Sequence, residues 1–292
     1  MMRASFVLSL LLLLSACSSL GPNHDPAKPT GRPSLTPETA THADLRALPP
    51  PKGAIVAAVY GFRDLTGQYK PSPDSLYSTA VTQGAAAMLV KAMLDSHWFS
   101  PVEREGLQDL LTERRIVRAE HPAPAPVAAL KAAVAGKAVQ SDDGEAPLLP
   151  ATILFEGGII GYESNVRTGG AGAAYLGTGL TDQYQTDQVT VNLRAVDTRT
   201  GRILESVTMT KTIYSQALDA NIFRYVTYKR LLQLETGYTR NEPVQLCVQE
   251  ALQAALIHVI VEGARDHLWG FKDERALQQP LVQTYLKGED GR

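Results

Sequence analysis

The residue whose type and place most directly imply chemistry is Cys17, which closes the run Leu14-Ser15-Ala16-Cys17. Arg3 precedes an apolar stretch over residues 6–14, too short to cross a bilayer but of the length of a secretory leader. Small residues ahead of the cysteine fit a lipoprotein signal peptidase. The thiol then takes a diacylglycerol, and the freed N-terminus of Cys17 takes an N-acyl chain, each buried methylene contributing roughly 0.8 kcal/mol to membrane binding. An ordinary leader with an incidental cysteine is the alternative, and it implies the same compartment without the anchor. Ser18 rather than an aspartate follows Cys17, as in lipoproteins of the outer rather than the inner membrane. With Cys17 lipidated, Cys247 has no cysteine left to pair with and is expected to be a buried helix residue.

The other reactive side chains form no recognisable constellation. The histidines are His24, His42, His97, His121, His258 and His267, and none stands in a His-x-x-x-His spacing. His97 and His258 read as packed or surface residues rather than general bases, and no Gly-x-Ser-x-Gly elbow occurs. Asp142 and Asp143 lie in an Ala- and Pro-rich stretch that nothing would hold at catalytic separation. The glycine-rich run at 169–179 has neither the Lys-Ser/Thr that ends a phosphate loop nor the spacing of a dinucleotide fingerprint. No metal site, no cofactor other than the acyl groups and no enzymatic activity is therefore expected.

The elements around these residues are mixed α/β. Residues 53–60 form a short apolar run, a buried strand, and 64–77 are too polar and too broken by proline for regular structure. Val81, Ala85, Met88, Leu89, Ala92 and Met93 predict a helix over 79–96 with one apolar face. Ser100-Pro101-Val102-Glu103 reads as a capping box opening a second helix toward Arg115. Residues 121–150 look like an insertion, and 151–162 return to strand character. Val189, Val191, Leu193 and Ala195 alternate with Thr190, Asn192 and Arg194, and 197–201 turn the chain into another strand over 203–210. A last long helix runs from Glu242 to about Leu268, with Asn241 as its cap and Val244, Cys247, Ala251, Ala254, Ile257 and Val261 on one face.

Two segments stand apart, 166–186 and 216–240. In the second, Leu218, Ala220 and Ile222 alternate with Asp219 and Asn221, and Leu232 and Leu234 with Gln233 and Glu235. Period two gives a strand one apolar and one wet face, and a barrel strand needs only about 9–11 residues to cross the hydrocarbon layer. Phe223, Tyr225, Tyr228 and Tyr238 would supply an interfacial aromatic girdle. A soluble amphipathic hairpin fits the same pattern, as does a helical turn over 228–234. The first segment is nearly devoid of large side chains at its centre and reads equally as a surface loop or as closely packed wall strands.

At 292 residues, net charge −2 and 20% charged side chains, the chain offers no electrostatic argument for nucleic acid. No apolar stretch beyond the leader is expected to make a transmembrane helix, so spanning falls to strands. The few strands of one chain cannot close a barrel, and open edges in lipid leave backbone groups unsatisfied, so spanning requires an oligomer.

The residues also resemble a known family, the CsgG curli secretion channels. The likeness is carried by the Cys17 lipobox, Asp64-x-Thr66-Gly67-Gln68-Tyr69-Lys70-Pro71, Ser96-x-Trp98-Phe99 and Glu103-Arg104-x-Gly106-Leu107-Gln108. It continues through Arg114-x-Ile116-Val117-Arg118-Ala119, Gly161-Tyr162-Glu163-Ser164-Asn165-Val166 and Gly237-Tyr238-Thr239-x-Asn241-Glu242-Pro243-Val244.

This resemblance implies an outer-membrane lipoprotein that exports unfolded curli (amyloid fibre) subunits without ATP. It implies a homo-oligomer, a ring of nine protomers, each giving two hairpins to one transmembrane β-barrel above a periplasmic α/β (α+β) domain. The expected partition is 1–16 leader; 17–51 lipidated tether or belt; 52–165, 187–215 and 241–270 periplasmic domain; 166–186 and 216–240 transmembrane hairpins; and 271–292 C-terminal tail. Leu218, Ala220, Ile222, Leu232 and Leu234 would face outer-membrane lipid. Implied partners are the curli subunits, a periplasmic lid and extracellular accessory curli proteins. The loop at about 64–77 would form the channel's narrow eyelet, where the family places Tyr, Asn and Phe and this chain has Ser72, Leu76 and Tyr77. Only Tyr77 keeps the aromatic character, which implies a wider, less polar opening. The competing expectation is a monomeric periplasm-facing lipoprotein of structural or adaptor role, with soluble hairpins.

Overall fold

The computed structural model describes residues 38–70, 78–120, 147–168, 183–219, 222–226 and 243–288. In chain order they form α1 (Ala40–Ala47), β1 (Ile55–Asp64), α2 (Ala85–Ser96), β2 (Phe99–Val102), α3 (Leu107–Glu120), β3 (Ile153–Thr168), β4 (Gln183–Asp197), β5 (Ile203–Asp219), β6 (Ile222–Val226), α4 (Pro243–Arg265), a short 3₁₀ turn (Glu274–Gln278) and α5 (Pro280–Leu286).

The strands make one open sheet in the order β2-β1-β3-β4-β5-β6. β1 pairs parallel with β2 and β3, and the remaining neighbours are antiparallel. The alternation read along β4 appears as burial on one face only. Val189, Val191, Leu193 and Ala195 are fully buried, whereas Thr190, Asn192 and Arg194 lie half-buried on the other face. On that second face Thr190 bonds Thr210, Asn192 reaches Thr208 and Arg194 pairs with Glu156.

The covered face is packed by helices, α4 along β4 and β5, α2 along β1 and β2, with α1 and α5 against α4. Helix α4 was expected to bury one face. Instead Cys247, Val248, Leu252, Ala255, Leu256, Ile257, Val259 and Ile260 are all buried, because sheet and helices enclose it. Contrary to the expectation, Val244–Arg265 is long and apolar enough by length and composition to cross a membrane, yet most of it is buried inside this fold.

Other elements depart from the sequence reading for local reasons. The helix expected from 79 starts at Ala85 after Gly84, since Thr79 bridges to Tyr69 and Val81 is buried outside the helix. The capping box at Ser100 does not form. Phe99 is buried and Phe99–Val102 pairs with β1 at the sheet edge, the place where a strand tolerates Pro101. Glu103 instead accepts the Gly106 backbone N–H at 2.7 Å, and α3 begins at Leu107.

The described residues on either side of the expected domain, 38–51 and 271–288, are integral to the core. In the segment read as a belt, Thr39 caps α1 and Leu45 is fully buried. In the segment read as a tail, Phe271, Val282 and Tyr285 are buried, and Phe271 sets its ring edge-on to Trp98 at 5.0 Å. The Lys272 N–H donates to the Pro50 carbonyl and Pro51 bridges to Phe271, which joins the two segments backbone to backbone. Of the segment read as an insertion, 121–146 lies outside the described residues.

Glycines are required where β1, β3 and β4 meet. The register of β1 on β3 shifts between Val59 and Phe62, and that of β3 on β4 between Ile159 and Gly161. Gly157 has φ +157, and a Cβ there would lie 2.0 Å from the Asn192 carbonyl oxygen.

Candidate functional site

The sheet outruns its helices at one end. Burial stops near Tyr162 and Asp187, and Glu163, Ser164 and Asn165 are exposed. The β3–β4 ladder nevertheless continues unbroken to Thr168↔Gln183, a further ~20 Å at ~3.3 Å per residue. β5 follows β4 up to Tyr184↔Gln216. The base of the first expected hairpin is thus a prolongation of core strands.

At the level where the strands leave the core sits a small polar cluster. The Tyr162 hydroxyl donates to Asp187 Oδ1 at 3.2 Å, and the Cys247 thiol donates to the Asp187 carbonyl at 3.6 Å. Asp187 is 1% exposed. Burial, with the Asp187 carboxylate adding to it, pushes the Tyr162 phenol up to about 12. The same two causes push the Cys247 thiol upward, so it is an inert packed thiol and not a nucleophile. Lys211 and Glu250 pair across β5 and α4 in the same region.

A raised phenol pKa means the fold favours the protonated form. Its contribution to stability is complete below the ordinary value of 10 and declines as pH rises toward about 12. Tyr162→Phe is therefore expected to be less stable than the parent at pH 8, with the gap closing between pH 10 and 12. Urea unfolding midpoints across that range check it.

The loop that follows β1 starts from the same end of the sheet. Asp64 Oδ1 accepts from the Thr66 backbone N–H at 2.8 Å and from its hydroxyl at 2.7 Å, an Asx turn. Asp64 Oδ2 accepts from the Gln83 side chain at 3.2 Å, across the mouth of the loop. Lys70 N–H donates to Ser78 O at 2.8 Å and Ala80 N–H to Gln68 O at 2.9 Å, so the two limbs form a paired neck. The Gln68 amide donates to the Tyr162 carbonyl at 3.0 Å, and Leu65 N–H to Ile159 O at 2.9 Å, which fastens the neck to β3.

Of the residues singled out from sequence, Cys17, Ser72, Leu76, Tyr77, Ala220, Leu232 and Leu234 lie outside the described residues. Leu218 stands in β5 and Ile222 in β6. One strand was expected through both, but β6 runs antiparallel to β5 with Asp219 opposite Ile222, so the chain reverses between them. Asp and Asn at 219 and 221 are turn formers as well as polar members of an alternating strand, which is why the pattern was ambiguous. Tyr162, Asp187, Gln68 and Gln83 were not singled out individually, though Gln68 and Tyr162 fall in quoted motifs. The readable signal was Asp-x-Thr, an Asx-turn signature.

Among the described residues, no group of His, Cys, Asp and Glu is placed to hold a metal ion. His258 is buried against Glu262 at 3.1 Å and edge-on to Tyr285 at 5.4 Å. His97 adopts the left-handed conformation that ends α2 (φ 57). These are structural roles.

A family model described as "Curli production assembly/transport component CsgG" matches residues 38–288. Proteins of that same description share the chain nearly end to end. The protein of Escherichia coli strain K12 is 44% identical over 284 residues, 97% of this chain and 97% of that one. That of Citrobacter koseri is 45% identical over 276 residues, 94% and 96% of the two chains. That of Salmonella typhimurium is 44% identical over 282 residues, 96% and 95%.

Proposed function

Since the chain belongs to the CsgG family of curli production assembly/transport components, we propose that it works as the curli secretion channel of its envelope, anchored in the outer membrane by acyl chains on Cys17. The observation that carries this reading is identity at 44% over 97% of both chains, which spans the hairpin segments as well as the α/β domain. The continuation of β3 and β4 past the packed core supports it, since such paired strands are the stems a membrane wall would grow from.

In this reading protomers assemble into a closed ring, nine if the family count holds. Residues 166–186 and 216–240 cross the membrane, with Leu218, Ala220, Ile222, Leu232 and Leu234 toward lipid. Closure of the ring is what satisfies the strand edges. The α/β domain sits in the periplasm, where it meets a lid protein and unfolded subunits, and accessory curli proteins meet the channel outside. Ser72, Leu76 and Tyr77 line the opening. A ring of such side chains touches any extended backbone weakly and excludes folded protein. Transport is then diffusive, biased by capture below the ring and by folding beyond it, with no cofactor.

Purified oligomer in a planar bilayer is expected to conduct ions, and Tyr77→Ala to raise single-channel conductance. A non-conducting preparation would instead favour a monomeric adaptor with soluble hairpins. An unchanged conductance in the Tyr77 variant would remove that residue from the opening.

A further inference from the structure

We propose that Asp187 is the positioning residue that selects the register of the stem, and with it which side chains of β3 beyond Ile160 stand on each face; the bearing of those faces on a membrane wall rests on the channel reading above. The ladder that leaves the core has two possible continuations. Carried on without a break from Ile159↔Val191, it would set Gly161 opposite Val189, Tyr162 opposite Gln188 and Glu163 opposite Asp187. Instead Ile160 is passed over, so that Tyr162 stands opposite Val189 and Ser164 opposite Asp187. A bulge forgoes ladder pairing at its extra residue, so contacts other than the ladder must favour it.

The two registers differ in what meets Asp187, because residues directly opposite one another share a face. Asp187 lies on the same face as Val189, beneath α4, where it is 1% exposed and its carbonyl accepts from the Cys247 thiol. In the bulged register Tyr162 is on that face too, packs against the core and donates its hydroxyl to Asp187 Oδ1 at 3.2 Å. In the bulge-free register Tyr162 would turn to the open face, out of reach. Glu163 would then stand opposite Asp187, setting two carboxylates together at a buried position. Lys211, the cation of that cluster, is already paired with Glu250. Asp187 thus attracts one register and repels the other. Little else in the first residues of the stem decides the matter, since Glu163, Ser164 and Asn165 are all polar and exposed, and strands that are polar on both faces specify register weakly.

The test is oxidative cross-linking of the full-length protein, scored by peptide mapping, with one cysteine pair for each register. Asn165→Cys with Thr186→Cys are opposite in the bulged ladder, and Asn165→Cys with Gln185→Cys would be opposite in the bulge-free one. In the parent background the first pair is expected to predominate. Asp187→Ala and, separately, Glu163→Lys, which would bring a cation to Asp187 in the bulge-free register, are each expected to raise the second pair relative to the first roughly tenfold, the factor carried by one hydrogen bond to a charged group. A carboxylate that merely supported the fold would, on removal, weaken both cross-links alike and leave their ratio where it was. An unchanged ratio in either folded variant overturns the proposal, as does a parent in which the second pair closes as readily as the first. Should Asp187→Ala fail to fold, Glu163→Lys decides alone. Ion conductance of the parent oligomer reads the channel separately: unchanged ratios in a conducting protein remove the register role alone, and shifted ratios in a non-conducting one uphold that role and remove the channel reading.

Discussion

Gly157→Ala is expected to abolish the cooperative unfolding transition of the α/β domain, or to weaken it by on the order of 4 kcal/mol or more. The added methyl would stand 2.0 Å from the Asn192 carbonyl oxygen and 2.8 Å from the Phe62 ring, distances at which backbone must move. Asn192 lies opposite Gly158 in the β3–β4 ladder, so moving it disturbs the pairing that carries the whole sheet. A φ of +157 adds backbone strain of roughly 1–3 kcal/mol for any residue with a Cβ. Against a total stability of about 5–15 kcal/mol that is decisive. Gly53→Ala is the control: a Cβ there meets nothing within 4 Å, and its effect should stay within about 0.5 kcal/mol. Urea unfolding followed by circular dichroism distinguishes the two; equal midpoints would show that β3 and β4 can part without cost.

Trp98→Ala is expected to cost about 3–5 kcal/mol, the range for emptying a large aromatic site in a close-packed interior. Trp98 is fully buried. Its ring meets Phe271 at 5.0 Å and 87°, and its Nε1 donates to the Pro49 carbonyl at 2.9 Å. One side chain thus joins the stretch before β1, the end of α2 and the stretch after α4. Trp98→Phe keeps most of the packing but strands the Pro49 carbonyl, and should cost about 1–3 kcal/mol. The discriminating readout is limited proteolysis near Phe271, which should quicken in the alanine variant well before global unfolding. Unchanged protection there would mean that the C-terminal segment is held without Trp98.

The legible and illegible parts of the fold divide on distance along the chain. Val189 to Ala195 announced their strand and buried face, because period-two burial is a local property. Cys247 was expected in a buried helix and is there. The enclosure of α4 on every side was not readable, since Gln253, His258 and Glu262 broke its apolar ring and gave it the look of an amphipathic helix. Ser100-Pro101-Val102-Glu103 satisfied the capping pattern, but the buried Phe99 and a free edge on β1 drew those residues into a parallel strand. Tertiary pairing overrode a local signal. For the candidate site, the polar loop after β1 was plain from composition. Its fastening was not, because Gln68 and Tyr162 are 94 positions apart and their bond uses a carbonyl that carries no sequence identity.

The continuation of β3 and β4 from the packed core into the stem, regular from Tyr162↔Val189 onward, has a bearing on what changes the stem can accept. Side chains in a strand change face with every residue, so a one-residue slip inverts a whole strand. Here the faces of the stem are dictated from below, by Val189, Val191, Leu193 and Ala195 pressed beneath α4. The stem cannot choose its own inside and outside. Between Ile159 and Gly161 β3 carries one extra residue that a bulge absorbs, so Tyr162 still stands opposite the buried Val189 and the facing set by the core is handed on to the stem. A single residue inserted into β3 beyond Tyr162 would keep that facing only where a second bulge took it up.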